Sequence, residues 1–398
     1  DIDLASIRIF IIALFFLWLL AGLKKKKIII KKGFISVFIL IFLFLNLLSS
    51  GLSENFDWSV RKLLFLFSVF PIYFVISSVV STRKQMFKVV KFLIWSGTVS
   101  AAIGIIQFFL QFIIGLEKTY GFWARYLAVP FLGKAFSAVV LKNPSWLVNI
   151  SGETYLRSTS LFPDPHMFSF FLGILAPLSL GIALKSKKIL YFLAFFILLL
   201  GDTLTFSRGG YIGILAGFIA IFLVFWFKFS IKYKIAYFLA MILTISALFF
   251  PSPVSNRLFS SLNLKEGSNM GRFEMWKKAY TVAAENPFLG VGIGNYSLEI
   301  KPSAGYREPI YAHNTYLDIA SETGILNAIV WTTMLLFAII LFIRKTSWEK
   351  FFLWPAISLI VFSVHSFFET AIYSPVVLTL LLIIISFANI DKKDEKNF

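Results

Sequence analysis

Cysteine is absent from the 398 residues, which excludes disulfides, thiolate nucleophiles and cysteine-held metal sites. Histidine occurs only three times, and Asp plus Glu number 20 against 38 Lys plus Arg. Acid–base chemistry therefore has few side chains to draw on. No paired acidic motif of the kind that holds Mg²⁺ stands out, and no solenoid-period repeat or low-complexity linker interrupts the chain. What is abundant is apolar: 58% of residues are hydrophobic and only 15% charged, a composition suited to lipid rather than to two or three soluble domains.

Apolar runs long enough to cross a hydrocarbon core of about 30 Å recur about eleven times. They run approximately from Leu4 to Leu23, Gly33 to Ser50, Trp58 to Val80, Val89 to Gly115, Met167 to Leu184, Ile189 to Phe206, Tyr211 to Phe227, Ile235 to Phe250, Tyr316 to Ile343, Phe351 to Phe368, and Ser374 to Ile390. Every second short connector is basic: Lys24 to Lys27 with Lys31 and Lys32, then Arg83, Lys84 and Lys88, Lys185 to Lys188, Lys228 to Lys234, and Arg344 to Lys350. The positive-inside rule puts these on the cytoplasmic face. The complementary segments, Leu52 to Asp57, Leu116 to His166, Ser207 to Gly210, Pro251 to Thr315 and Glu369 to Tyr373, then face outward. The expected fold is an all-α integral membrane bundle of about 11–12 helices, a single polytopic domain over 1–398. Its two long outward loops, 116–166 and 251–315, contain short helices. Asp1 and Asp3 at an outward N-terminus, with no initiating Met, lead us to expect one further span ahead of the first. The net charge of +18 lies largely where anionic headgroups read it and calls for membrane lipids, not nucleic acid, as partner.

Arginine is placed unlike lysine: Arg125, Arg157, Arg208, Arg257, Arg272 and Arg307 fall on or beside outward segments. Topology does not account for them. A guanidinium offers planar, bidentate hydrogen bonding to phosphate, so the set reads as a phosphate or carboxylate clamp, with headgroup contact as the plainer alternative. The three histidines, His166, His313 and His365, are outward as well. His313 stands out because Thr315 and Asp318 have capping-box spacing, which starts a helix there and places the ring just before its positive end. That position would hold the imidazole neutral, as a base beside an anion site.

Upstream, Asn269 to Glu285 reads as an amphipathic interfacial helix carrying Arg272, Trp276 and Tyr280 on one face, ended by Asn286 and Pro287. Gly290-Val291-Gly292-Ile293-Gly294 lacks the surrounding βαβ unit of a nucleotide loop. Its glycines instead suit a tight turn where backbone approaches a ligand or another helix. Thr205 to Gly210 makes a sharp reversal at Arg208, with Asp202 about one turn inside the membrane, an ionisable group to be explained by function or by pairing with Arg208.

Ser207-Arg208-Gly209, then Arg272 with Trp276, then Asn286-Pro287-Phe288-Leu289-Gly290-Val291-Gly292, then His313-Asn314 followed by Gly324, together resemble the O-antigen ligase and O-antigen polymerase superfamily over roughly Arg157 to Trp331. The resemblance implies a GT-C-like membrane glycosyltransferase in the bacterial inner membrane, with its site facing the periplasm. It would need no metal or cofactor and would move a glycan from undecaprenyl diphosphate to a lipid-anchored or glycan acceptor. His313, Arg208 and Arg272 match the family's essential histidine and arginines, with Arg157 a further diphosphate ligand. Asn314, Tyr316, Trp276 and Arg307 are expected donor or acceptor contacts. Asn327 stands where ligases often show a small residue, which leaves ligase and polymerase open. A flippase for polyprenol-linked saccharide is the non-enzymatic alternative, although transporters gather polar residues at the midplane rather than at one face.

Overall fold

A computed structural model describes residues 6–26, 30–31, 33–142, 145–225, 253–260, 267–306 and 310–392. Five helices in it are long and apolar enough to cross a membrane: Ile7–Lys24, Phe56–Val79, Arg83–Ile114, Pro165–Ser186 and Ile325–Lys345. Shorter apolar helices cover Phe34–Ser50, Ile189–Thr203, Arg208–Leu223, Lys350–His365 and Pro375–Asn389. Each falls on one of the apolar runs, and the remaining run, Ile235 to Phe250, lies outside the described residues. The chain is an all-α, multi-pass membrane protein.

Its described residues form two compact units, one of 1–92, 271–359 and 366–398, the other of 93–270 and 360–365. In the first, Phe34–Ser50 packs against Ile325–Lys345, and Pro375–Ser386 against Pro71–Val79. Asn55 caps the helix that starts at Phe56, accepting from Trp58 N at 3.2 Å, and Pro71 divides that helix from the next. In the second unit, Pro165–Ser186 is buried nearly throughout and packs against Ile189–Thr203 and Arg208–Phe225. Asp164 caps it, accepting from His166 N and Met167 N, and Pro165 occupies its first turn, where a missing N–H costs nothing.

Two local features differ from the sequence-based expectation. The run from Tyr316 is not one span, because Gly324, at φ +91°, divides Thr315–Thr323 from Ile325–Lys345 and only the second is long enough to cross. The first long loop contains a β-hairpin as well as short helices, Leu147–Ile150 pairing antiparallel with Glu153–Leu156. Ser151 and Gly152 join the strands at φ 55° and 92°, the left-handed pair that a two-residue hairpin turn requires.

Candidate functional site

His313 sits in the first unit at φ 51°, a left-handed conformation uncommon for residues other than glycine. The surroundings are specific. Asn314, next in the chain, caps Thr315–Thr323 by accepting from Tyr316 N and Leu317 N. Thr315 donates its hydroxyl to the Glu369 carbonyl, and its own N–H goes to the Ser366 carbonyl. The expected capping box is therefore displaced: Asn314 is the cap, and Asp318 reaches back to Ala312 N at 2.8 Å and accepts from the Thr370 hydroxyl.

These contacts bring the segment after His365 against His313. Glu369 Oε1 lies 2.6 Å from His313 Nδ1, and its Oε2 lies 3.5 Å from an Arg272 amino group. One buried carboxylate thus joins the histidine to the arginine, a link that sequence reasoning does not reach. The sole signal was a carboxylate in a short outward connector. Burial of the ring pulls the His313 pKa down, but the Glu369 carboxylate against Nδ1 outweighs it and the net displacement is above 6.5. The expectation of a ring held neutral by the helix end is corrected accordingly: the side chain beside Nδ1, absent from the local sequence, governs the titration. Burial likewise raises the Asp318 carboxyl, to about 7.

Arg272 and Trp276 lie one turn apart on Gly267–Glu285. Trp276 stands beside Phe368, with ring centroids 6.2 Å apart, and its buried indole N–H meets no acceptor among the described residues. Tyr316 packs its ring on Phe367 at 4.7 Å. Tyr280, on the same helix as Arg272, is exposed. Arg307 lies outside the described residues.

The glycine-rich run approaches a helix rather than a ligand. A Cβ on Gly290 would stand 2.3 Å from the Glu322 carbonyl carbon, and one on Gly324 would stand 2.1 Å from the Phe288 carbonyl oxygen. Val291 N and Gly292 N donate to the Ser321 and Glu322 carbonyls at 3.0 Å, and Ile325 N donates to the Pro287 carbonyl at 2.9 Å. The two motif segments are thereby clamped together at the end of the helix that His313 precedes. Lys62, 2.8 Å from Glu322 Oε1 and over the Tyr373 ring at 3.6 Å, pins the same end. Asn327 is buried and donates to Thr323 Oγ1 at 2.9 Å.

The second unit gathers Arg157, Arg208, His166 and His365. Ser158 N donates to the Leu204 carbonyl at 2.9 Å and Arg157 Nε to the Thr205 carbonyl at 2.7 Å, which stitches the Arg157 segment to the reversal that presents Arg208. Phe206, at φ 52°, makes that reversal. Both arginines are buried, Arg157 at 6% and Arg208 at 4% exposure. Asp202 accepts from the Ser169 hydroxyl at 2.6 Å. Arg125 is exposed on Trp123–Leu127, and Arg257 is half-buried on Pro253–Ser260.

Among the described residues no three His, Asp or Glu side chains come together as a metal-ion set. No curated protein matches the chain. Residues 193–332, the stretch running from the Arg208 reversal through Arg272 and the glycine clamp to His313, match the family model described as O-antigen ligase. The match covers about a third of the chain, and it supports a membrane glycan-processing protein of the O-antigen ligase and polymerase type.

Proposed function

We propose that the protein is a glycosyltransferase that moves a glycan from undecaprenyl diphosphate to an acceptor hydroxyl, as an O-antigen ligase does to lipid A-core. The observation that carries the proposal is the His313–Glu369–Arg272 constellation, a strained histidine held at Nδ1 by a carboxylate that also meets an arginine. Glu369 orients the ring and supports the imidazolium that forms, which assigns Nε2 to the acceptor hydroxyl. As that oxygen attacks the anomeric carbon, its proton passes to Nε2. The bond from the anomeric carbon to the diphosphate oxygen breaks, and the diphosphate leaves with the electron pair. A single in-line displacement of this kind inverts the anomeric centre.

The leaving group gathers negative charge as the bond breaks, and guanidinium donors are suited to stabilise it where water is excluded. Arg272, Arg208 and Arg157 are assigned that role, and the transfer is metal-independent. Trp276 and Tyr316 are assigned to sugar contacts. The proposed setting is the bacterial inner membrane, with one polytopic domain whose 116–166 and 251–315 loops face the periplasm. A polymerase of the same superfamily is the second reading, which Asn327, at the position where ligases often carry a small residue, leaves open.

The test is to incubate the purified protein, in EDTA, with an undecaprenyl diphosphate-linked oligosaccharide and candidate acceptors. Glycan joined to lipid A-core identifies a ligase, and lengthened carrier-bound glycan a polymerase. Movement of intact lipid across liposomes without transfer identifies a flippase. Transfer that disappears in EDTA and returns with Mg²⁺ contradicts the arginine mechanism.

A further inference from the structure

We propose that His166, Ser207 and His365 form a one-directional hydrogen-bond chain that positions Arg157 for the diphosphate; the role rests on the reading of Arg157 as a diphosphate ligand. Arg157 Nη2 lies 3.4 Å from His166 Nε2, His166 Nδ1 lies 3.0 Å from Ser207 Oγ, and Ser207 Oγ lies 3.3 Å from His365 Nε2. The direction follows from the chemistry at one end. A guanidinium has donors, no acceptor, and keeps its proton. His166 Nε2 must therefore offer its lone pair, which puts the ring proton on Nδ1. That N–H donates to Ser207 Oγ, which also accepts from Gly210 N at 3.4 Å; with both lone pairs taken, the Ser207 hydroxyl hydrogen goes to His365 Nε2, and His365 carries its own proton on Nδ1. Both rings are neutral Nδ1–H tautomers, fixed from the arginine end of the chain.

Each end of the chain is anchored. His365, the last residue of Leu353–His365, is buried with its ring stacked on Phe170, centroids 3.6 Å apart and planes within 8°. Arg157 donates from Nε to the Thr205 carbonyl at 2.7 Å. The guanidinium is consequently held at two points, Thr205 O and His166 Nε2, which fix its plane, and plane is what a bidentate phosphate contact needs. His166 acts through Arg157 and is a positioning residue, not an anion ligand.

Two measurements on the full chain test this. Because the protein has three histidines, ¹⁵N-histidine NMR yields three ring systems, assigned with His166→Gln and His365→Gln. Nδ1–H tautomers at His166 and His365 are expected; an Nε2–H ring or an imidazolium at His166 overturns the chain. The second measurement is binding of undecaprenyl diphosphate beside glycan transfer. His166→Leu should weaken binding and raise the donor KM roughly tenfold, the scale of one hydrogen bond to a charged group, with a smaller change in kcat. His166→Gln, which keeps an acceptor toward Arg157 and a donor toward Ser207, should restore most of the affinity. Should His166→Leu fail to fold, Ser207→Ala severs the next link and is expected to weaken binding in the same direction. Unchanged affinity in a folded His166→Leu or Ser207→Ala overturns the positioning role while leaving the diphosphate reading intact. Wild-type protein that does not bind undecaprenyl diphosphate overturns that reading and, with it, the role given to the chain.

Discussion

Glu369→Gln keeps the volume of the side chain and removes its charge, so it isolates what the carboxylate does for His313. Two unit charges about 4 Å apart attract by about 1 kcal/mol in water and about 4 kcal/mol at an effective dielectric near 20. The His313 side chain is 39% exposed and Glu369 8% exposed, so screening keeps the value well below the upper figure. A loss of about 1–3 kcal/mol of support for the imidazolium predicts a fall in kcat/KM of roughly ten- to a hundredfold. The pH profile supplies the sign. His313 accepts a proton only when neutral, and Glu369 holds its pKa above 6.5, so the acid limb of the wild-type profile lies above that value. Without the carboxylate, burial and Arg272 both pull the pKa down, and the limb moves to lower pH. The assay is transfer from a defined lipid-linked oligosaccharide, in detergent, across pH 5 to 9. Wild-type kcat/KM in Glu369→Gln with an unmoved acid limb refutes the role of the carboxylate.

Gly324→Ala should abolish the folded protein, since the new methyl meets the Phe288 carbonyl at 2.1 Å on a backbone at φ +91°; a monodisperse, active preparation contradicts the glycine clamp. Asp318→Asn should flatten the pH dependence of thermal stability. A carboxyl raised from 3.8 to about 7 by burial binds its proton more tightly in the folded state, so stability falls as pH rises across that interval. A wild-type Tm that rises across that interval contradicts this. Cysteines introduced at Ser145 and Ser268 should react with an impermeant thiol reagent from the periplasmic side, and labelling only after inner-membrane permeabilisation reverses the topology.

The membrane fold is legible because span length is a local property of the chain. Where the structure departs from the expectation, long-range packing decides: Gly324, pressed against Phe288, divides the apolar run that starts at Tyr316. Ser151-Gly152 did carry a hairpin signal, but it lay inside a loop read only for helices. Arg157, Arg208, Arg272 and His313 could be singled out by residue type and position. Glu369 could not, because nothing in Phe368-Glu369-Thr370 announces a partner 56 residues upstream. The chain through His166 and His365 was hidden for the same reason, each histidine alone reading as an unremarkable residue at a helix end.

The central claim, that His313 is the base of a glycan transfer, is tested most directly by His313→Ala, with transfer and undecaprenyl diphosphate binding measured in one detergent preparation and Arg208→Lys run beside it. Loss of general-base catalysis predicts a fall in turnover of roughly 10² to 10⁴-fold with donor binding nearly intact. Arg208→Lys keeps the charge but loses the bidentate fork, and should weaken donor binding or its transition state. Full transfer by His313→Ala would contradict the account.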